Sequence, residues 1–113
     1  MNYTTEQNMV DWLNNWSQLL VDERWGEAVD LFIERNRPSV DDLQAILQEV
    51  KVCSASDLDP THVVFRFYEE PDGIHIEYSI PADGDWSPWT LECIMNLNGE
   101  SVSSVEYLAL EEG

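Results

Sequence analysis

The sequence predicts an α+β domain in which three N-terminal helices pack on a four-stranded antiparallel meander. Two observations carry that expectation. Apolar residues recur at helical spacing up to about residue 51 and alternate with a period of two beyond about residue 60. Turn-forming residues then cut the second half into four strands with short connections. A length of 113 residues, 43% hydrophobic with five Trp, fits one domain over residues 1–113 with a core of its own.

Thr4-x-x-Gln7 is a capping-box pattern, and Met9, Leu13, Trp16 and Leu20 follow at steps of four, three and four. Trp12 and Leu19 widen that stripe. A second helix is expected from near Asp22, with Trp25, Ala28, Val29 and Phe32 on one face. Pro38 lacks an amide hydrogen and disfavours helix before it, so this helix ends by Asn36 or Arg37. Ser39 is a good N-cap for the third helix. Asp41 and Asp42 suit its first turn, where the helix dipole favours negative charge. Its apolar stripe is Val40, Leu43, Ile46, Leu47 and Val50.

Val63, Phe65 and Phe67 alternate on the first strand, and Ile74, Ile76, Tyr78 and Ile80 on the second. Glu70-Pro71-Asp72-Gly73 is a turn between them. Pairing Glu70 with Gly73 sets Phe67 opposite Ile76, Phe65 opposite Tyr78, Val63 opposite Ile80 and Arg66 opposite Glu77. The register that closes the turn thus matches the apolar faces. Pro81 to Pro88 reads as a long acidic loop holding an exposed Trp86. Trp89, Leu91, Cys93, Met95 and Leu97 form the third strand, and Asn98-Gly99 signals a hairpin. A three-residue loop there sets Leu91 opposite Tyr107, Cys93 opposite Val105 and Trp89 opposite Ala109. It also puts Glu92 against Glu106, a mildly destabilising like-charge pair.

The charge is extreme: five Lys and Arg against 23 Asp and Glu, a formal net of −18. Residues 1–66 carry twelve acidic and all five basic residues, whereas 67–113 carry eleven acidic and no Lys or Arg. Such a surface repels phosphate backbones and anionic bilayers, which argues against direct nucleic-acid or membrane binding. Solubility is served by a net charge of about 2–8 on a small domain, so the excess points to a functional acidic surface. No apolar run reaches the roughly 20 residues of a membrane span. The opening Met1-Asn2-Tyr3-Thr4-Thr5-Glu6 lacks the basic start of a signal peptide, so a cytoplasmic location is expected.

Reactive constellations are not assembled by spacing. Cys53 and Cys93 are no Cys-x-x-Cys pair and read as core thiols rather than a disulfide or nucleophiles. His75 shares the polar side of its strand with Glu77, a solvated histidine more readily than a general base. His62 reads as loop chemistry. Asp83-Gly84-Asp85 lacks the closing Glu of a calcium loop. Neither zinc spacing nor a phosphate loop nor a nucleophile elbow is present. No catalytic residue, metal or cofactor is expected.

The order of elements resembles a cystatin-like or nuclear-transport-factor-two-like α+β roll. More narrowly, Ser39-Val40-Asp41-Asp42-Leu43 through Val50, Trp89-Thr90-Leu91-Glu92 and Val105-Glu106-Tyr107-Leu108-Ala109-Leu110 resemble small bacterial immunity domains. Those domains are the partners of polymorphic and contact-dependent-inhibition toxins. The resemblance implies a binder rather than a catalyst, because the roll's acidic–His and Tyr–Asp constellations are missing. An immunity protein would occlude a cationic toxin domain, of which an RNase-type nuclease is the expected case, by complementary charge. An acidic nucleic-acid mimic that inhibits a DNA- or RNA-binding protein is the alternative. Mixed-charge pairs such as Glu23-Arg24 and Glu34-Arg35 suit it less well. The predicted partner-binding residues are Glu69, Glu70 and Asp72 at the first hairpin and Asp83, Asp85 and Trp86 in the long loop. Trp86 is the expected aromatic anchor.

Overall fold

A computed structural model describes residues 2–34, 36–55, 65–71 and 73–112. Helices α1 (Tyr3–Val21), α2 (Trp25–Asp30) and α3 (Val40–Glu49) precede strands β1 (Phe65–Glu70), β2 (Gly73–Ala82), β3 (Asp85–Asn98) and β4 (Ser101–Glu112). The four strands form one antiparallel sheet in the order β1-β2-β3-β4. This is the expected α+β class. The expected pairing of Val63 with Ile80, and His62, lie outside the described residues.

Helix α1 begins two residues earlier than Thr4-x-x-Gln7 suggests. Asn2 is its N-cap, and its Oδ1 accepts from the Thr5 amide at 2.8 Å. Met9, Leu13, Trp16 and Leu20 are all buried on its inner face, each contributing about 1.5–3 kcal/mol through removal from water. The expectation of a second helix from Asp22 is corrected, because those residues end α1 instead. Glu23 takes a left-handed φ of 58°, its amide donates to Leu20 O, and the Arg24 amide donates to Leu19 O at 2.9 Å. That pair of bonds is a Schellman motif, with glutamate where glycine is usual. Helix α2 is left with six residues, and Ala28 and the following Phe32 supply its buried contacts.

The chain after α2 does more than connect. The Ile33 amide donates to Val105 O at 2.9 Å, and the Tyr107 amide donates to Asn36 O at 3.1 Å. Ile33 and Asn36 therefore cover the middle of the β4 edge, which would otherwise offer unpaired backbone to another strand. Arg37 folds back to donate from Nε to Phe32 O at 2.8 Å. Ser39 then caps α3 as expected, accepting from the Asp42 amide at 3.0 Å. Leu43 and Ile46 are buried, whereas Val40 is exposed.

In the sheet, Phe65↔Tyr78, Arg66↔Glu77, Phe67↔Ile76 and Glu70↔Gly73 pair as expected. Ile74, Ile76, Tyr78 and Ile80 join Leu91, Cys93, Met95 and Val105 in the core against the helices. The Tyr78 hydroxyl donates to Asn14 Oδ1 at 2.9 Å and lies 3.4 Å from Ser17 Oγ, which ties the sheet to α1. Burial raises the Tyr78 phenol and the Cys93 thiol well above their ordinary values. Cys53 is half-buried rather than in the core.

The β3–β4 register differs from the expected one. Asn98 pairs with Ser101, leaving a two-residue turn in which Gly99 has φ 65°, the glycine-first signature of a II′ hairpin. Two bulges then shift the ladder, so that Cys93 faces Tyr107, Leu91 faces Leu110 and Trp89 faces Glu112. Glu92 lies opposite Ala109, not Glu106. The turn centred on Gly99-Glu100 already sets Leu97 opposite Val102, one residue beyond the expected register, and each bulge adds one more.

Candidate functional site

The predicted binding residues divide between the two ends of the sheet. Glu69 and Glu70 are exposed at the end of β1. Beside them lies a groove of about 480 Å³ whose walls include Pro71, Ile74, Met95 and Leu97. Asp72 lies outside the described residues. Asp83 and Asp85 sit at the other end of β2, ten residues away, a span of roughly 30 Å at strand rise. The structure thus brings Asp83, Asp85 and Trp86 together and leaves Glu69 and Glu70 far from them.

The long loop expected over residues 81–88 is a tight hairpin. Ala82 pairs with Asp85, and Asp83 and Gly84 have φ of 55° and 81°, which makes Asp-Gly the centre of a type I′ turn. Pro81 sits at a break in the β2–β3 register, where a missing donor is tolerated. Asp83 also has a structural task. Its Oδ1 accepts from the Lys51 amide at 3.1 Å, and its own amide donates to Lys51 O at 2.7 Å. With Cys53 donating to Pro81 O at 3.0 Å, these bonds dock the chain after α3 on the end of β2. Asp85 Oδ1 accepts from the Trp86 amide at 2.8 Å.

Trp86 is not the exposed anchor that its neighbours suggest. It is half-buried, edge-on to Tyr78 with ring centroids 6.1 Å apart. Its Nε1 is buried with no partner among the described residues, as are those of Trp16 and Trp89. Alternation with Pro81 across the hairpin places Trp86 against the sheet core, and that pairing was hidden by reading the segment as a loop.

Two of the positive charges are used locally. Arg24 is paired with Glu27, and Arg37 Nη1 lies 3.4 Å from Asp30. On the outer face of the sheet Glu77 lies directly opposite Glu92, with Arg66 across from Glu77 on β1. His75 Nε2 is 3.8 Å from the Glu92 carboxylate, and its ring stands edge-on to Tyr68. This row sets Glu77 and Glu92 side by side with Arg66 and His75 as neighbours, and His75 Nε2 is buried with no hydrogen-bond partner among the described residues. Among the described residues no group of three or more His, Cys, Asp and Glu could hold a metal ion. No described helix is long and apolar enough to cross a membrane.

Sequence reasoning missed a cavity of about 390 Å³ between α3 and the paired ends of β3 and β4. Trp89, Tyr107, Asp42 and Glu111 are among its walls. Burial and the neighbouring Asp42 and Glu111 carboxylates raise the Tyr107 phenol above its ordinary value. The sequence signals were present separately: two aspartates in a helix first turn, and an aromatic and an acid in adjacent strands. Their convergence depends on the bulged register, which puts Thr90 opposite Glu111. Comparison with protein-family models, with curated proteins and with solved structures finds no match to this chain.

Proposed function

We propose that this protein is an immunity protein: it binds a cationic toxin domain, an RNase-type nuclease, and occludes its active site. The observation that carries the reading is the net charge of −18, with no Lys or Arg after Arg66. A nuclease holds phosphates with cationic side chains, so an inhibitor of opposite sign is its electrostatic complement. Arg24 and Arg37 are paired within the helical half, which supports the same reading, because neither charge is spent on the β half. Such an inhibitor would act in the cytoplasm of the cell it protects.

The test begins with rescue. Cells expressing a cognate RNase-type toxin domain should survive when this protein is co-expressed. With the purified pair, association should approach ~10⁸ M⁻¹s⁻¹ at low salt through steering and slow steeply between about 50 and 500 mM salt. Glu69→Gln with Glu70→Gln probes one end of the sheet, and Asp83→Asn with Asp85→Asn probes the other. The asparagines keep the oxygen acceptors that hold the turn. The pair that lowers the association rate and flattens its salt dependence marks the face used. Absence of rescue, or binding indifferent to salt, would refute the reading.

A further inference from the structure

We propose that the cavity between α3 and the β3–β4 ends, walled by Trp89 and Tyr107 and edged by Asp42 and Glu111, is a seat for an arginine side chain. The inference rests on the inhibitor reading for its source of arginine, a basic protein surface, but the cavity itself defines the chemistry.

A volume of about 390 Å³ falls within the range of small ligand sites and exceeds what a single water needs. Both charged residues in its walls are carboxylates, and neither Lys nor Arg contributes to them. The Tyr107 phenol is raised first by its burial and then by Asp42 and Glu111, and two carboxylates with no cation in the walls repel a bound anion. An anion is therefore excluded. A hard metal ion would need more oxygen donors than two carboxylates and a phenol supply. What remains is an organic cation with an apolar stem. Ile46 and Leu110 supply apolar wall for such a stem. Two aromatic rings favour a planar cation that can lie against them. Guanidinium has that shape, is weakly hydrated, and presents several N–H donors to carboxylates, whereas an ammonium is a compact, strongly hydrated point charge.

The Asp42 carboxylate is free to play this part. The Ser39–Asp42 capping bond uses the Asp42 backbone amide, not its side chain. Glu111 lies near the end of β4, and its carboxylate is exposed. The cavity's walls include none of the five charged residues expected at the sheet tips, so its use can be separated from theirs.

The probe is the blocked tripeptide acetyl-Gly-Arg-Gly-amide, titrated into isotope-labelled protein and followed by nuclear magnetic resonance. Shifts should concentrate at the Trp89 indole N–H and the Tyr107 and Glu111 amides. The citrulline peptide, isosteric but neutral, should bind at least about tenfold more weakly, the ratio lost with one charge-assisted contact. The lysine peptide should fall between them. Asp42→Asn with Glu111→Gln should abolish the difference between arginine and citrulline while leaving the spectrum dispersed as in the parent. Equal binding of citrulline, or shifts that avoid the cavity, would overturn the assignment. So would a double variant that keeps its preference for arginine. Failure of the inhibitor reading looks different: the arginine peptide would still bind, and no toxin domain would be neutralised. Conversely, a double variant that binds the toxin domain with unchanged kinetics would overturn the seat and leave the inhibitor reading standing.

Discussion

Phe32 meets three aromatic rings edge-on: Trp12 at 5.5 Å, Trp16 at 5.9 Å and Tyr107 at 5.6 Å between centroids. It is buried, and it joins α1 to the last strand through one side chain. Phe32→Ala should cost about 3–5 kcal/mol by urea unfolding, the usual range for emptying a buried aromatic site. A loss below about 1 kcal/mol would mean that the rings close over the gap. The two thiols give a second prediction. Cys93 is buried and Cys53 half-buried, so a thiol reagent should label Cys53 in the native protein and reach Cys93 only on unfolding. Burial raises Cys93 and Tyr78 in the folded state, so the unfolded chain gives up these protons first. The stabilising contribution is therefore complete below the ordinary thiol value of about 8.5. It declines as pH rises past that and past the phenol value of about 10. Unfolding midpoints measured from pH 7 to 11 should fall, and Cys93→Ser should remove the first part of the decline.

At the scale of elements, two left-handed positions predict opposite outcomes. Glu23 occupies one at φ 58°, where a side chain costs roughly 1–2 kcal/mol. Glu23→Gly should stabilise by about 0.5–1 kcal/mol after the added freedom of the unfolded chain is subtracted. Gly73 has φ 142°, and an added Cβ would sit 2.6 Å from Ile94 Cγ2. Gly73→Ala should therefore destabilise by about 1–3 kcal/mol, and paired denaturant titrations decide both. These positions also show which parts of the fold were legible. The β1–β2 register was readable because turn residues and apolar alternation gave the same answer. The β3–β4 register was not, since its bulges follow from backbone geometry that no side-chain pattern marks. Asp83-Gly84 is a strong hairpin signal, but Pro81 and Pro88 on either side disguised the flanking strands as loop. Among the site residues, the acidity of Glu69, Glu70, Asp83 and Asp85 was evident from composition. Their separation to opposite ends, and the burial of Trp86, required the hairpin to be seen.

For the whole molecule, the governing quantity is charge against size. The molecule measures 36 × 33 × 23 Å, and at about 0.01 M salt the Debye length of about 30 Å lets charges at opposite ends repel. At about 0.1 M it falls to about 10 Å, and that repulsion is confined to neighbours. The melting temperature should rise by several degrees over this interval. A flat profile would show that the acidic residues are balanced close to where they stand. The segment covering the β4 edge has a further consequence, for the order in which the molecule opens. Its bonds join stretches of chain about seventy residues apart, one from the helical half and one from the final strand. Neither half can loosen without releasing amides of the other, so local opening is coupled to global unfolding. Ile33 lies just beyond a six-residue helix, a place where fast exchange with solvent deuterium would ordinarily be found. Its amide should instead exchange in step with Tyr107 and with the centre of the sheet, making a connecting turn one of the slowest sites to take up the label.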